Sequence, residues 1–202
     1  MRLNEARHDL YRRLAREQGY KSRAAFKLIE ADERYHIVKD GDRVIDLGAA
    51  PGGWLQVASE LAGPSGIVVG VDLSPIRLKL PNVVALKLDV YDSGLPVMLR
   101  KVMGGEADVI LSDLSPTVSG VWELDQTRQV ELTLHVLDLA PELLKPTGGV
   151  FCKLFEGDRS QEVRDRFRNT FASVRTVKPA ASRNASSELY YYCEGIKVQP
   201  VP

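Results

Sequence analysis

The chain predicts an α/β fold: a doubly wound, mostly parallel, seven-stranded sheet with an antiparallel edge hairpin and helices ahead of it. Short β-branched-rich runs alternate with helical stretches, and five of them end on a turn residue or an acid. Strand, helix, strand order calls for right-handed crossovers and hence parallel strands. The last two runs are joined only by a loop, which makes them antiparallel.

Two helical segments lead, about 4–18 and 22–35, the second with Ser22 as its expected N-cap. Strands follow at RVIDLG (43–48), GIVVGVD (66–72), VVALKLD (83–89), ADVILSD (107–113) and GGVFCKLF (148–155). Helical patterns lie between them, clearest over 122–145, where Leu132, Val136, Leu139 and Leu143 recur at helical spacing. After Phe155 come a helix around 159–169 and strand-like runs at 172–178 and 189–198, read as the hairpin at the sheet edge.

A length of 202 residues fits a single domain, 1–202. With 44% hydrophobic and 27% charged residues the composition is that of a globular protein and excludes disorder. No run approaches the roughly 20 apolar residues that span a bilayer, and no apolar stretch follows the first charges, so the expectation is a cytoplasmic chain without a membrane partner. Cys152 and Cys193 sit in apolar runs and read as buried thiols. His8, His36 and His135 are scattered without ligand spacing, so no metal site is expected.

The formal net charge of zero is a cancellation. Residues 1–29 carry 8 basic and 3 acidic side chains, 30–152 carry 10 and 18, and 153–202 carry 9 and 6. A fold that joins the two ends would make one basic face, the footprint of a nucleic-acid partner. The candidates are Arg12, Arg13, Arg16, Lys21 and Arg23, within a basic helical extension over 1–40. Adjacent Arg12 and Arg13 cannot point the same way on a helix, so one of them is expected to be a bystander.

In a doubly wound sheet a ligand sits beyond the carboxyl ends of the strands at the switch point, here the loop from Asp46 through Gly48, Gly52 and Gly53 to Trp54. Neither the P-loop nor the G-x-G-x-x-G fingerprint is present, which excludes two phosphate cradles and speaks against a nicotinamide-dependent oxidoreductase. The glycines still admit close backbone approach, and the Asp46 carboxylate suits a cationic ammonium. Asp72, at the end of the second strand, is placed to accept from ribose hydroxyls, and Asp89, at the end of the third, from an adenine amine. A nucleoside with a cationic amino-acid tail and no phosphate is S-adenosylmethionine.

The runs SRAAFKL (22–28), DLGAAPGGW (46–54), VDLSP (71–75), LSDLSP (111–116) and GGVFCKLFEG (149–157) resemble the FtsJ/RrmJ family of RNA ribose 2′-O-methyltransferases, over essentially the whole chain. The resemblance implies a Rossmann-like methyltransferase fold, S-adenosylmethionine as cofactor and a Lys-Asp-Lys-Glu tetrad at Lys27, Asp113, Lys153 and Glu188. It implies cofactor contacts at Gly52, Trp54, Asp72, Asp89 and Asp113, with Asp46 supporting the loop. As substrate it implies large-subunit ribosomal RNA, at the A-loop uridine, with tRNA anticodon-loop riboses as the alternative. A monomer is expected. An assembly factor that binds the cofactor without turnover would need a broken tetrad, and all four positions are filled.

From strand order alone, Asp113 and Lys153 lie at the carboxyl ends of strands four and five, and Glu188 precedes a strand that begins at the same rim if it runs antiparallel beside strand five. Acids beside Lys153 would favour its charged form, while a sulfonium and Lys27 oppose it, so its protonation is unsigned by sequence. The preferred role for Lys153 is to orient the acceptor hydroxyl and stabilise developing negative charge, with the general-base role as alternative.

Overall fold

The computed structural model describes residues 3–182 and 187–197, with side chains described from residue 10 onward. Arg2, Arg7 and Arg183, which count toward the basic ends, lie outside the described side chains. Helices α1 (Leu3–Glu17) and α2 (Ala25–Tyr35) precede the strands β1 (Arg43–Leu47), β2 (Ile67–Asp72), β3 (Val83–Lys87), β4 (Ala107–Ser112), β5 (Leu144–Phe155), β6 (Phe171–Val177) and β7 (Glu188–Ile196). Helix α3 (Gly53–Ala62) follows β1, α4 (Leu95–Met103) follows β3, α5 (Trp122–Leu143) follows β4 and α6 (Ser160–Thr170) follows β5.

The seven strands form one sheet in the order β3-β2-β1-β4-β5-β7-β6. β1 through β5 are mutually parallel, and β7 is antiparallel to both its neighbours. The edge hairpin is therefore folded back, with β7 inserted between β5 and β6. Chain order reverses between β1 and β4, so the crossovers leave these strands in opposite directions and the switch point lies at their carboxyl ends.

Period-two alternation divides the core into two layers. Ile45, Leu47, Val69, Val71, Ile110, Cys152 and Leu154 pack under α4, α5 and α6. Val44, Val68, Val109, Leu111, Phe151, Tyr190 and Tyr192 face the other way, under α2 and α3. Continuing each alternation puts Asp46, Asp113, Lys153 and Glu188 on the α2–α3 side at the switch-point end of the sheet. Helix α1 packs through Ala15, with Tyr11 and Leu14, onto Phe26 of α2.

Cys152 and Cys193 are buried free thiols on the paired strands β5 and β7. Burial raises the Cys152 thiol to about 12.

Ser22 does not cap α2. The helix opens three residues later, its Ala24 N-cap makes no side-chain cap bond, and the Ser22 carbonyl instead accepts from the Ala25 N–H at 3.3 Å. The physical reason is close packing: a Cβ at Gly53 would run into the Ser22 hydroxyl, so the turn before α2 is pressed against the start of α3.

Candidate active site

Each of the four tetrad positions arrives on a different element. Lys27 comes from the first turn of α2, Asp113 from the residue after β4, Lys153 from β5 and Glu188 from the first residue of β7. The β5–β7 register sets Phe155 opposite Glu188 and Lys153 opposite Tyr190, which brings the last two to one rim.

The structure joins the four through polar contacts. Lys27 Nζ lies 2.7 Å from Glu188 Oε1. Lys27 Nζ also donates to the Tyr190 hydroxyl at 3.0 Å, and that hydroxyl donates to Asp113 Oδ1 at 2.8 Å. Lys153 Nζ lies 3.1 Å from the same Asp113 oxygen and donates to the Asp113 carbonyl and to Ser115 Oγ, both at 2.7 Å. The Ser182 hydroxyl donates to Glu188 Oε1 at 2.8 Å. Lys27 and Lys153 are buried, so both ammonium groups are withdrawn from water into a paired environment.

The charges of this cluster balance. Burial works to raise the Asp113 carboxyl, but the Lys153 and Lys27 cations and the Tyr190 hydroxyl outweigh it and hold it below the usual carboxylate range. Burial first, and then Asp113 and Glu188, push the Tyr190 phenol well above its ordinary value, so it stays a neutral donor.

Tyr190, Ser115 and Ser182 were not singled out from sequence. The available signal was parity: Tyr190 stands two residues after Glu188 on a strand and so shares its face.

A cavity of about 370 Å³ opens beside Asp113 and Ser115. Gly48 and Ala50 floor it, and Asp72, Asp89, Tyr91 and Leu132 line it. Gly48 has φ 82°, and a Cβ there would come within 3.0 Å of the Leu114 backbone, so the β1 and β4 loops touch only because this residue is glycine. Asp72 and Asp89 also brace their loops: Asp72 accepts from the N–H groups of Ala50 (3.0 Å) and Ser74 (2.7 Å), and Asp89 accepts from that of Tyr91 (3.0 Å). Each carboxylate oxygen keeps further lone-pair capacity toward a ligand.

Asp46 is fully buried, and neither of its carboxylate oxygens meets a hydrogen-bond partner among the described residues. Burial, followed by the charges of Asp113 and Asp72, raises its pKa well above the ordinary value. This buried acid lies two residues before Gly48 of the cavity, at the base of the loop that carries it. With the carboxylates of Asp72 and Asp89 in its lining, where they can accept from hydroxyl and amine groups, the residues present fit S-adenosylmethionine.

Asp46, Gly52, Gly53 and Trp54 sit outside the lining of this cavity. Gly52 is the N-cap of α3, where its carbonyl accepts from Gln56 N at 3.1 Å, and Gly53 packs on Ser22. The Trp54 indole is committed to the fold: Nε1 donates to the Ala24 carbonyl at 2.7 Å, and the ring stacks on Phe151 with centroids 5.5 Å apart. Its side chain ties α2 to α3, the contact that carries Lys27.

The basic candidates separate. Arg12, Arg16, Lys21 and Arg23 border one surface hollow of about 450 Å³, with Tyr20 at its side. Arg13 points elsewhere and pairs with Glu17 at 3.5 Å. At the other basic end, Arg159 is paired with Glu131 and Glu162, Arg166 with Asp138 and Arg168 with Asp165. Among the described residues no His/Cys/Asp/Glu group could hold a metal ion, and no helix is long and apolar enough to cross a membrane.

The model of the FtsJ-like methyltransferase family matches residues 20–196. A ribosomal RNA large subunit methyltransferase E from Methanothrix thermoacetophila is 42% identical over 193 residues, covering 96% of this chain and 74% of that one. One of the same name from Nitrosopumilus maritimus is 42% identical over 195 residues, covering 96% and 98%. Among solved structures, one from Plasmodium falciparum described as a ribosomal RNA methyltransferase superposes with a TM-score of 0.79 at 26% identity, covering 88% of this chain and 98% of that one. The Aeropyrum pernix fibrillarin, solved with S-adenosyl-L-methionine bound, shares the fold at a TM-score of 0.60 and 18% identity, covering 86% and 75%.

Proposed function

The chain belongs to the FtsJ-like methyltransferase family, and on that premise we propose that it methylates a ribose 2′-hydroxyl of large-subunit ribosomal RNA, at the A-loop uridine. It is an S-adenosylmethionine-dependent RNA methyltransferase. When bound, that cofactor supplies an electrophilic methyl on a sulfonium. One observation supports the ribose reading above the others: the 370 Å³ cavity opens at Asp113 and Ser115, and Lys153 Nζ touches both. An acceptor hydroxyl held at Lys153 therefore stands at the mouth of the donor pocket.

The chain's own residues divide the work as follows. Asp72 and Asp89 accept from the nucleoside, and Asp46, buried beneath the cavity, supports the β1 loop on which the cationic tail would rest. Lys153 orients the acceptor oxygen and stabilises the negative charge that develops on it. Three oxygens surround its Nζ, and the Ser115 hydroxyl, which can donate as well as accept, is the partner that an acceptor hydroxyl would replace. Lys27 and Tyr190 hold Asp113 and Glu188 in place behind it. The hollow of Arg12, Arg16, Lys21 and Arg23 receives phosphates, with residues 1–40 as the RNA-binding extension of a single domain. The proposal includes a monomer that acts in the cytoplasm.

The test supplies labelled S-adenosylmethionine with undermodified large subunits, free ribosomal RNA and tRNA in parallel, and maps the modified nucleotide. Label at a large-subunit ribose 2′-oxygen supports the proposal. Label confined to tRNA would replace the substrate, and label on a base would end the ribose reading.

A further inference from the structure

Beyond Lys153 the rim carries an apolar surface that the methyl-transfer reading does not use. In and beside the β4–α5 loop, residues 114–121, Val118 is 72% exposed, Val121 54%, and Trp122, the first residue of α5, 47%. A Trp half in water at a helix start is a costly placement for a side chain that usually supplies buried area.

This surface is continuous with the reacting centre. The Trp122 ring stacks on Phe155 with centroids 6.1 Å apart at 26°, and the Lys153 ammonium lies 5.9 Å from the centroid of that same Phe155 ring. At its other end the loop begins with Leu114 and Ser115, and Ser115 bonds Lys153 directly.

The loop is also held in shape. Asp125, buried in the first turn of α5, accepts from Ser119 N at 2.8 Å, Ser119 Oγ at 2.7 Å and Gly120 N at 3.2 Å. These bonds draw its carboxyl below the usual range and fix the segment that presents Val118 and Trp122.

Charge selects what can dock there. Beside Trp122 the exposed charge is Glu123, and Glu131 further along α5 is paired with Arg159, so no cluster of free cations stands at this end for a phosphate backbone, whereas the cationic hollow lies on the α1–α2 side of the rim. A contact path runs from α2 to this surface: Lys27, Tyr190, Asp113, Lys153, Phe155, Trp122. RNA laid across it would put phosphates at the basic end and something flat and uncharged at the aromatic end.

Resting on the RNA reading above, we infer that Trp122, backed by Phe155 and flanked by Val118, is a stacking platform for an unpaired nucleobase of the substrate, at or next to the nucleotide whose ribose meets Lys153. Phe155 supports the ring from below, and the exposed face is left for the base. Stacking reads any base, so the platform contributes affinity and positioning rather than sequence choice.

The experiment uses the full-length protein and a large-subunit RNA fragment that it methylates, carrying 2-aminopurine at the target or at either neighbouring nucleotide. Wild type quenches the probe at one of these positions. Trp122→Phe keeps the quenching and stays within about threefold in KM for RNA. Trp122→Ala and Trp122→Leu lose the quenching and raise that KM about tenfold or more, while the dissociation constant for S-adenosylmethionine holds within twofold. Val118→Ser, which removes a side chain in solvent, raises KM by about twofold to threefold and serves should either Trp122 truncation fail to fold. No quenching at any position by wild type, or Trp122→Leu matching wild type in KM, overturns the inference. So does a change in sedimentation of the Trp122 variants, which would make the surface a protein interface. Failure of the RNA reading itself is separate: wild type would then label none of the RNAs.

Discussion

Replacing Tyr190 with Phe removes one oxygen from the centre of the tetrad and leaves every charge in place. The hydroxyl accepts from Lys27 at 3.0 Å and donates to Asp113 at 2.8 Å, and the residue is fully buried. Hydrogen bonds to charged groups contribute about 1.5–3 kcal/mol each. Two such bonds would suggest as much as about 6 kcal/mol, but Lys27 retains Glu188 at 2.7 Å and Asp113 retains Lys153 at 3.1 Å, so neither ion is orphaned. The expected loss is therefore near the lower end, about 2 kcal/mol of stability, or roughly 4–8 °C in Tm for a chain of this size. Turnover should fall about 10- to 100-fold, because Asp113 no longer holds Lys153 from a fixed position, with cofactor affinity within threefold. The pH profile supplies the separate readout. Asp113 is held below its unfolded value, so the stability it contributes is present above that value and is lost as pH falls through the folded one. Without the Tyr190 bond its folded pKa rises, so the acid limb of both kcat and stability moves to higher pH. Tyr190→Phe with wild-type kcat and an unmoved acid limb would show that the bridge is packing only.

Lys153→Ala should abolish single-turnover methyl transfer while cofactor affinity stays within a few-fold, since its ammonium is assigned to the acceptor oxygen; calorimetry against rapid-quench rates separates the two. Asp72→Ala should weaken S-adenosylmethionine binding by about 1–3 kcal/mol, and the Ala50 and Ser74 N–H groups it leaves free should lower Tm as well. Asp46→Asn should raise Tm at pH 7 and do so less at pH 4.5: a folded pKa above the unfolded one makes the buried acid increasingly costly as pH climbs through that interval. The same variant should bind the cofactor more weakly, read by calorimetry. Arg12→Gln with Arg16→Gln should flatten the slope of log RNA affinity against log salt by about 1.4–1.8 units, whereas Arg13→Gln, already paired with Glu17, should leave it unchanged.

The positions of the strands were legible because their signals are local. β-branched runs ended by Gly48, Asp72 or Asp113 report their own neighbourhood, and the observed strands fall within a few residues of the runs read from sequence. The insertion of β7 between β5 and β6 was legible only as a condition, because strand neighbours depend on pairing energies spread over the whole sheet. Ser22 shows a local rule overruled. Its hydroxyl has the chemistry of a cap, but the approach of α3 at Gly53 takes the space a capping turn needs, and that approach is set by Trp54 reaching the Ala24 carbonyl. Arg12 and Arg13 show the reverse: helical spacing required them to diverge, and only the position of α1 on Phe26 decides which of them meets the hollow with Arg16.

Tyr190 was missed for another reason. A family motif names residue types at positions and is silent on what holds them together, yet parity was enough to find this side chain. On β7, Glu188 and Tyr190 point to one face while Leu189 and Tyr191 point to the other, under α6. Lys153 faces Tyr190 in register, so any residue at that position stands between Lys153 and the element that brings Lys27. A hydrophobic side chain there would leave two buried lysines separated by an apolar gap, each served only by its own carboxylate. A phenol, apolar along its ring and polar at its tip, can stack on Phe151 with centroids 4.9 Å apart and still reach both Asp113 and Lys27 with one oxygen. The strand that supplies the glutamate must therefore supply the tyrosine as well, and the antiparallel insertion of β7 is what sets both against β5 at the rim where Asp113 and Lys153 meet.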